Sequence, residues 1–168
     1  MNRRFALAAL AAAALAGSLA LTACGKSKQD TATADANLAA GRAFLATNAK
    51  APGVVTLPDG LQYKITRQGP GVGPSPQPQD LVKVNYEGKL LSGFVFDSSY
   101  ERGQPAVFTL AKLVPAWITA LQMMKAGEEW TLWVPSELGY GAEDKGPIPA
   151  NSVMVFRIEL IAVSPRGG

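Results

Sequence analysis

The sequence predicts an α+β fold: a twisted antiparallel sheet of about five strands wrapped around one short helix. Three observations lead there. Short stretches alternate apolar and polar residues with the two-residue period of a half-buried strand. Breaker clusters such as Pro58-Asp59-Gly60, and the run from Gly69 to Gln79 with its four prolines, separate those stretches. Only one segment of the core, near Pro115, carries helical spacing with helix-type ends.

The chain starts with residues that read as a leader rather than as part of the fold. Residues 1–23 have a positive start (Arg3, Arg4), an Ala/Leu-rich stretch from Phe5 to Ala16, and a small-residue region ending at Ala23. This is the three-part layout of a secretory signal peptide. The alternative, a retained transmembrane helix, is disfavoured by the weak hydrophobicity of alanine and by Gly17 and Ser18. Leu21-Thr22-Ala23-Cys24 resembles the bacterial lipobox, and Cys24 is the only cysteine. The resemblance implies three acyl chains on Cys24 and a membrane anchor, since each buried methylene contributes ~0.8 kcal/mol. Gly25 after the cysteine favours the outer over the inner membrane, on the periplasmic side of the cell envelope.

Residues 24–52 are expected to hold the lipidated cysteine, a flexible tether and a short helix. The small polar run 25–34 suits a tether. From Asp35 to Ala49, Asp35 serves as an N-cap candidate and Leu38, Phe44 and Leu45 share a face, with Gly41 a weakness in the middle.

The main domain is placed at 53–168. Leu61, Tyr63 and Ile65 alternate with Gln62, Lys64 and Thr66 in a first strand, and Val82, Val84 and Tyr86 alternate with Lys83, Asn85 and Glu87 in a second. Further strands are expected at 94–97, 107–110, 128–134 and 152–163. The last sets Met154, Phe156, Ile158 and Leu160 against Val153, Val155, Arg157 and Glu159. The helix spans Pro115 to Lys125: proline in its first turn, Trp117, Leu121 and Met124 along a face, and Gly127 just beyond its end. It should cross the concave side of the sheet.

Composition removes whole classes of function. The chain has no histidine and one cysteine, which excludes a Ser-His triad, a Cys-His pair, an internal disulfide and the usual zinc sites. No metal or cofactor is expected. Of the 168 residues 48% are apolar and 17% charged, and the formal charge is +3. Removal of residues 1–23 takes the balance from 16 basic against 13 acidic to 14 against 13, with the cations scattered. Nucleic acid is therefore not an expected partner.

Three segments then become recognisable: VKVNYEGKLLSGFVFDSS (82–99), Leu113-Val114-Pro115-Ala116-Trp117, and SELGYGAEDKGPIPANSVMVF (136–156). Together they resemble an FKBP-type peptidyl-prolyl cis-trans isomerase over about Gly53 to Val163. Within the family the chain is similar to bacterial members of the macrophage infectivity potentiator type, which share the GLQY and Phe-Asp-Ser-Ser patterns. The resemblance implies a proline pocket lined by Tyr86, Phe96, Asp97, Phe108, Leu113, Val114, Trp117, Tyr140, Ile148 and Phe156, with Trp117 as its floor. It implies that the Val114 amide and Tyr140 hydroxyl hold substrate carbonyls, that Arg102 partners Asp97, and that rapamycin-type macrolides inhibit. Ala116 and Ala106 depart from the usual glycine and a common phenylalanine. Little room remains between Cys24 and Val54 for dimerising helices, so a monomer is expected.

Such a pocket suits the composition, because twisting an amide needs neither proton transfer nor a covalent intermediate. Trp117, Asp97 and Tyr140 are the candidate catalytic residues. Asp97 has two readings, electrostatic assistance to the rotating amide or a structural carboxylate bonded to Tyr86 and Arg102. Phe108 and Phe156, taken singly, read as core; Trp117 and the glycine-flanked Tyr140 point to a site. The rival functions are a non-catalytic proline-binding chaperone module of the cell envelope and, far behind, a carboxylate-based hydrolase, for which Asp97 lacks a second carboxylate.

Overall fold

A computed structural model describes residues 28–165. The leader, Cys24 and residues 25–27 lie outside the described residues. In chain order the elements are helix α1 (Lys28–Asn48), strands β1 (Val55–Thr56), β2 (Gln62–Arg67), β3 (Leu81–Leu90), β4 (Val95–Ser98) and β5 (Ala106–Thr109), helix α2 (Pro115–Met123), and strands β6 (Glu129–Val134) and β7 (Met154–Ser164).

The strands form one antiparallel sheet in the order β1-β2-β6-β7-β3-β4, with β5 beside β4 on the same edge of β3. The α+β architecture is thus as read from the sequence, with seven strands where about five were expected. Six of the seven fall on the stretches read from the alternation, and the seventh is the two-residue β1, too short for a periodicity to show.

Helix α2 forms where expected. Pro115 sits in its first turn, where a missing N–H leaves no bond unmade. The Met124 N–H closes the other end onto the carbonyls of Ala120 and Leu121, both at 3.2 Å. Ala116, Trp117, Ala120 and Leu121 face inward against Val82, Val84, Leu132, Val134, Ile158 and Leu160, all buried. Each aliphatic side chain buried this way contributes about 1.5–3 kcal/mol, so the interface of helix and sheet is the core.

Two expectations are corrected. Helix α1 begins at Lys28, so Asp35 is an interior residue rather than an N-cap, and residues 28–34 are helical rather than tether. The reason is tertiary: the helix lies against the domain, with Ala34 and Gly41 buried at the contact. The side-chain amide of Gln62 donates to Leu45 O at 2.8 Å, and Asn48 Nδ2 donates to Gln62 Oε1 at 2.8 Å. Those bonds also explain the second correction. Gln62, expected on the solvent face of its strand, is 3% exposed, while Ile65 on the expected apolar face is 37% exposed. Gln62 is buried because α1 satisfies its amide, whereas Ile65 stands beside the irregular register at Thr66.

Candidate active site

The concave side of the sheet holds a cavity of about 440 Å³. Its floor is Trp117, 4% exposed and delivered by the first turn of α2. Three rings meet the indole edge to face: Tyr86 of β3 at 5.2 Å, Phe156 of β7 at 5.3 Å and Phe108 of β5 at 6.2 Å. Edge-to-face pairs are favourable because the electropositive rim of one ring meets the electronegative face of another. The four aromatics therefore form a self-consistent apolar bowl. The indole N–H is buried and has no hydrogen-bond partner among the described residues.

Phe96 and Asp97 are neighbours on β4, yet both line the cavity. In a regular strand they would point to opposite faces. The register slips between Gly88 and Lys89 of β3, which pair with Asp97 and Val95 and leave Phe96 as the extra residue of a bulge. A bulge re-aims a side chain in this way. Gly88 completes the arrangement: a Cβ there would lie 2.6 Å from the Phe96 ring and 2.7 Å from the Phe156 ring. Only glycine lets those two rings meet edge to face at 5.7 Å.

Asp97 accepts hydrogen bonds from the Tyr86 hydroxyl and from Arg102 Nη1, and Arg102 Nη2 donates to the Tyr86 hydroxyl at 3.0 Å. Partial burial pushes the Asp97 carboxyl up. The bonds from Tyr86 and Arg102 outweigh it and hold the group below the usual carboxylate range. Burial, followed by the bond to Asp97, raises Tyr86 above the ordinary phenol. The bonds that the structural reading requires, from Tyr86 and Arg102 to Asp97, are present, and Arg102 itself does not line the cavity. With both side chains more than 40% exposed, the ion pair is screened by solvent and by itself contributes little to stability.

The remaining wall comes from two loops. Leu113 and Val114 precede α2. The Val114 carbonyl accepts from the N–H groups of Trp117 (2.9 Å) and Ile118 (3.2 Å) at the start of α2, and its N–H is the backbone donor that could serve a bound carbonyl. Tyr140 and Ile148 come from the loop between β6 and β7. All ten residues predicted for the pocket thus surround one cavity. The prediction missed Lys112, Lys145 and Pro147, which share its rim. Pro147 stands next to Ile148 in a motif already recognised, so adjacency could have found it, whereas nothing local marks the two lysines. Among the described residues no helix is long and apolar enough to cross a membrane.

Comparison with known proteins follows the same line. A family model described as FKBP-type peptidyl-prolyl cis-trans isomerase matches residues 73–161, and one described as the domain amino terminal to it matches residues 8–65. The chain is 46% identical over 131 residues to the outer membrane protein MIP of Legionella longbeachae, covering 77% of this chain and 55% of that protein. It is 48% identical over 126 residues to the peptidyl-prolyl cis-trans isomerase Mip of Coxiella burnetii, covering 74% and 54%. Among solved structures, FkpA from Escherichia coli superposes with a TM-score of 0.78 at 39% identity, over 82% of this chain and 63% of the other. A peptidyl-prolyl cis-trans isomerase from Pseudomonas syringae gives 0.71 at 41%, over 78% and 96%. The chain spans about half the length of the curated relatives it matches.

Proposed function

The chain belongs to the FKBP-type peptidyl-prolyl cis-trans isomerases, and from that premise we propose that its cavity accelerates the exchange of Xaa-Pro bonds in exported proteins as they fold. The observation that carries the reading is the aromatic bowl floored by Trp117. The planar amide owes its ~18–20 kcal/mol barrier to resonance that places positive charge on nitrogen and negative charge on oxygen. Twisting the bond localises the lone pair and reduces that charge separation. An apolar bowl favours the twisted form over the planar one, which is differential binding of the transition state. Unassisted exchange takes tens to hundreds of seconds.

In this reading Trp117, Phe156, Phe108 and Tyr86 hold the prolyl ring, with Phe96, Leu113 and Ile148 closing the sides. The Val114 N–H and Tyr140 hydroxyl bind the flanking carbonyls, which fixes the chain on both sides of the rotating bond. Asp97, kept anionic, supplies a fixed negative potential near the rotating amide. We also propose a lipid anchor on Cys24, placement on the periplasmic side of the envelope, a monomeric chain, and inhibition by rapamycin-type macrolides.

A protease-coupled assay on an Ala-Leu-Pro-Phe peptide tests the activity. Acceleration that rapamycin abolishes is expected, whereas a module that only holds proline segments leaves the rate at its uncatalysed value. The anchor is tested by fractionation: Cys24→Ala should move the protein from the membrane pellet to the soluble fraction.

A further inference from the structure

The loop that brings Tyr140 and Ile148 to the cavity is held from outside the sheet. Tyr140 stands between Gly139 and Gly141, which have no side chains to brace it, and is itself 39% exposed. Its placement must come from the backbone around it. The Gly141 N–H donates to Ser136 O at 2.8 Å, and the Gly141 carbonyl accepts from the Asn151 N–H at 2.8 Å. Farther along, Ala150 N–H donates to Asp144 Oδ1 at 2.8 Å, and Lys145 and Ile148 pair through their backbones.

Two side-chain amides then tie the root of this loop to α1. Asn37 Nδ2 donates to Ala150 O at 3.0 Å, and Asn151 Nδ2 donates to Ala34 O at 3.2 Å. Asn151 is also the one non-glycine with positive φ (59°) among the described residues. Asparagine tolerates that left-handed conformation better than most residues. It lets one residue point its N–H at Gly141 and its amide at α1. Gly41 brings the helix against Val153, on the strand-ward side of the same root. The exposed Arg42 to Glu137 pair, at 4.0 Å, adds little.

From these contacts we propose that Asn37 and Asn151 are positioning residues for isomerisation: by locking the loop root onto α1 they set the wall that carries Tyr140 and Ile148. The inference rests on the isomerase reading. It assigns a role to α1, which lies outside the stretch matched by the isomerase family model.

The test uses the full chain and the same peptide assay. Asn151→Gly keeps the left-handed backbone and its N–H but removes the amide that reaches Ala34. Asn37→Ala removes the donor to Ala150 and leaves the loop sequence untouched, so it carries the same expectation should Asn151→Gly disorder the loop. Each should lower kcat/KM ~2- to 10-fold, the range one lost hydrogen bond can transmit, with thermal midpoints close to wild type. In a Tyr140→Phe background each should cost under about twofold more, because contributions routed through one residue are not additive. Wild-type kcat/KM in both variants, or full additivity with Tyr140→Phe, overturns the proposal. If the wild-type chain gives no acceleration at all, the isomerase reading falls. The Tyr140 ring resonances then still decide the positioning: they shift in Asn37→Ala if α1 sets the wall and stay fixed if it does not.

Discussion

Asp97 and Tyr86 share one proton-bearing contact, and the surroundings drive them in opposite directions. Asp97 is held below its ordinary value by Tyr86 and Arg102 despite partial burial, and Tyr86 is raised by burial. At neutral pH the pair is a carboxylate and a phenol, and neither changes state near neutrality. We expect kcat/KM to show no inflection from Asp97 or Tyr86 between about pH 5 and 9, measured with a chymotrypsin-independent assay. The Asp97→Asn variant separates shape from charge. It keeps the volume of the wall but loses the anion that orients Arg102 and the Tyr86 hydroxyl, so a several-fold fall in kcat/KM, on the order of 3- to 10-fold, is expected. An unchanged rate would reduce Asp97 to a structural residue. The Trp117 floor was implied by the family resemblance, and its setting at a helix start pointed separately to a site. Gly88 was not: its importance lies in what a Cβ would strike, and the two rings it would strike sit eight and 68 residues further along the chain.

At the scale of elements, helix α1 shows how a local reading can mistake a cause. Gly41 reads as a weakness in a helix, since glycine costs about 1 kcal/mol relative to alanine there. In the fold a Cβ at that position would lie 2.7 Å from Val153 Cγ2. The glycine is a contact surface, and the valine it meets is too short and stiff to swing away. Gly41→Leu should therefore lever α1 off the domain. Overpacking of this kind costs about 1–3 kcal/mol, which lowers the thermal midpoint by roughly 3–8 °C and speeds amide exchange along α1 before it does so in the sheet. Uniform exchange across the protein would argue against α1 as a separately docked element. The strands were far easier to read, because β3 buries every second residue and leaves Lys83, Asn85, Glu87 and Lys89 on the other face, and the inward residues of β6 and β7 recur with the same period. The bulge at Phe96 was invisible, since register depends on the partner strand.

Across the whole molecule, the face of the sheet away from the cavity carries a charge network joining four strands. Arg67 of β2 donates to Glu159 of β7 at 2.6 Å, Asn85 of β3 donates to the same carboxylate at 3.0 Å, and Arg157 of β7 donates to Glu129 of β6 at 2.8 Å. Thr66 adds a bond to Glu129 at 3.0 Å, and Arg157 lies over the Tyr100 ring at 5.1 Å. Glu129 is 8% exposed, and the bond from Arg157 leads the interactions that lower its pKa against the opposing effect of burial. A carboxylate depressed in the folded state contributes stability above its unfolded value. That contribution is lost as pH falls through the folded one. Stability should thus be level at neutral pH and decline in the acid range, below about pH 4.5. Glu129→Gln should remove about 1–2 kcal/mol at pH 7 and flatten the acid limb of a urea-denaturation series. An acid limb as steep as wild type would show that other carboxylates govern it.

The sequence alone determined the fold class, the place of α2 and nearly every member of the pocket, because those depend on periodicity, on proline and glycine punctuation, and on a family pattern written in contiguous segments. The absence of histidine likewise narrowed the chemistry before any coordinates. Only the tertiary structure decided that α1 starts at Lys28 and docks, that Gln62 rather than Ile65 is buried, that a bulge turns Phe96 and Asp97 to the same side, and that Asn37 and Asn151 tie a helix to the wall of the cavity. Each of these depends on a partner tens of residues away. Propensity and period act along the chain, whereas burial, register and hydrogen-bond satisfaction are properties of residues that meet only when the chain has folded.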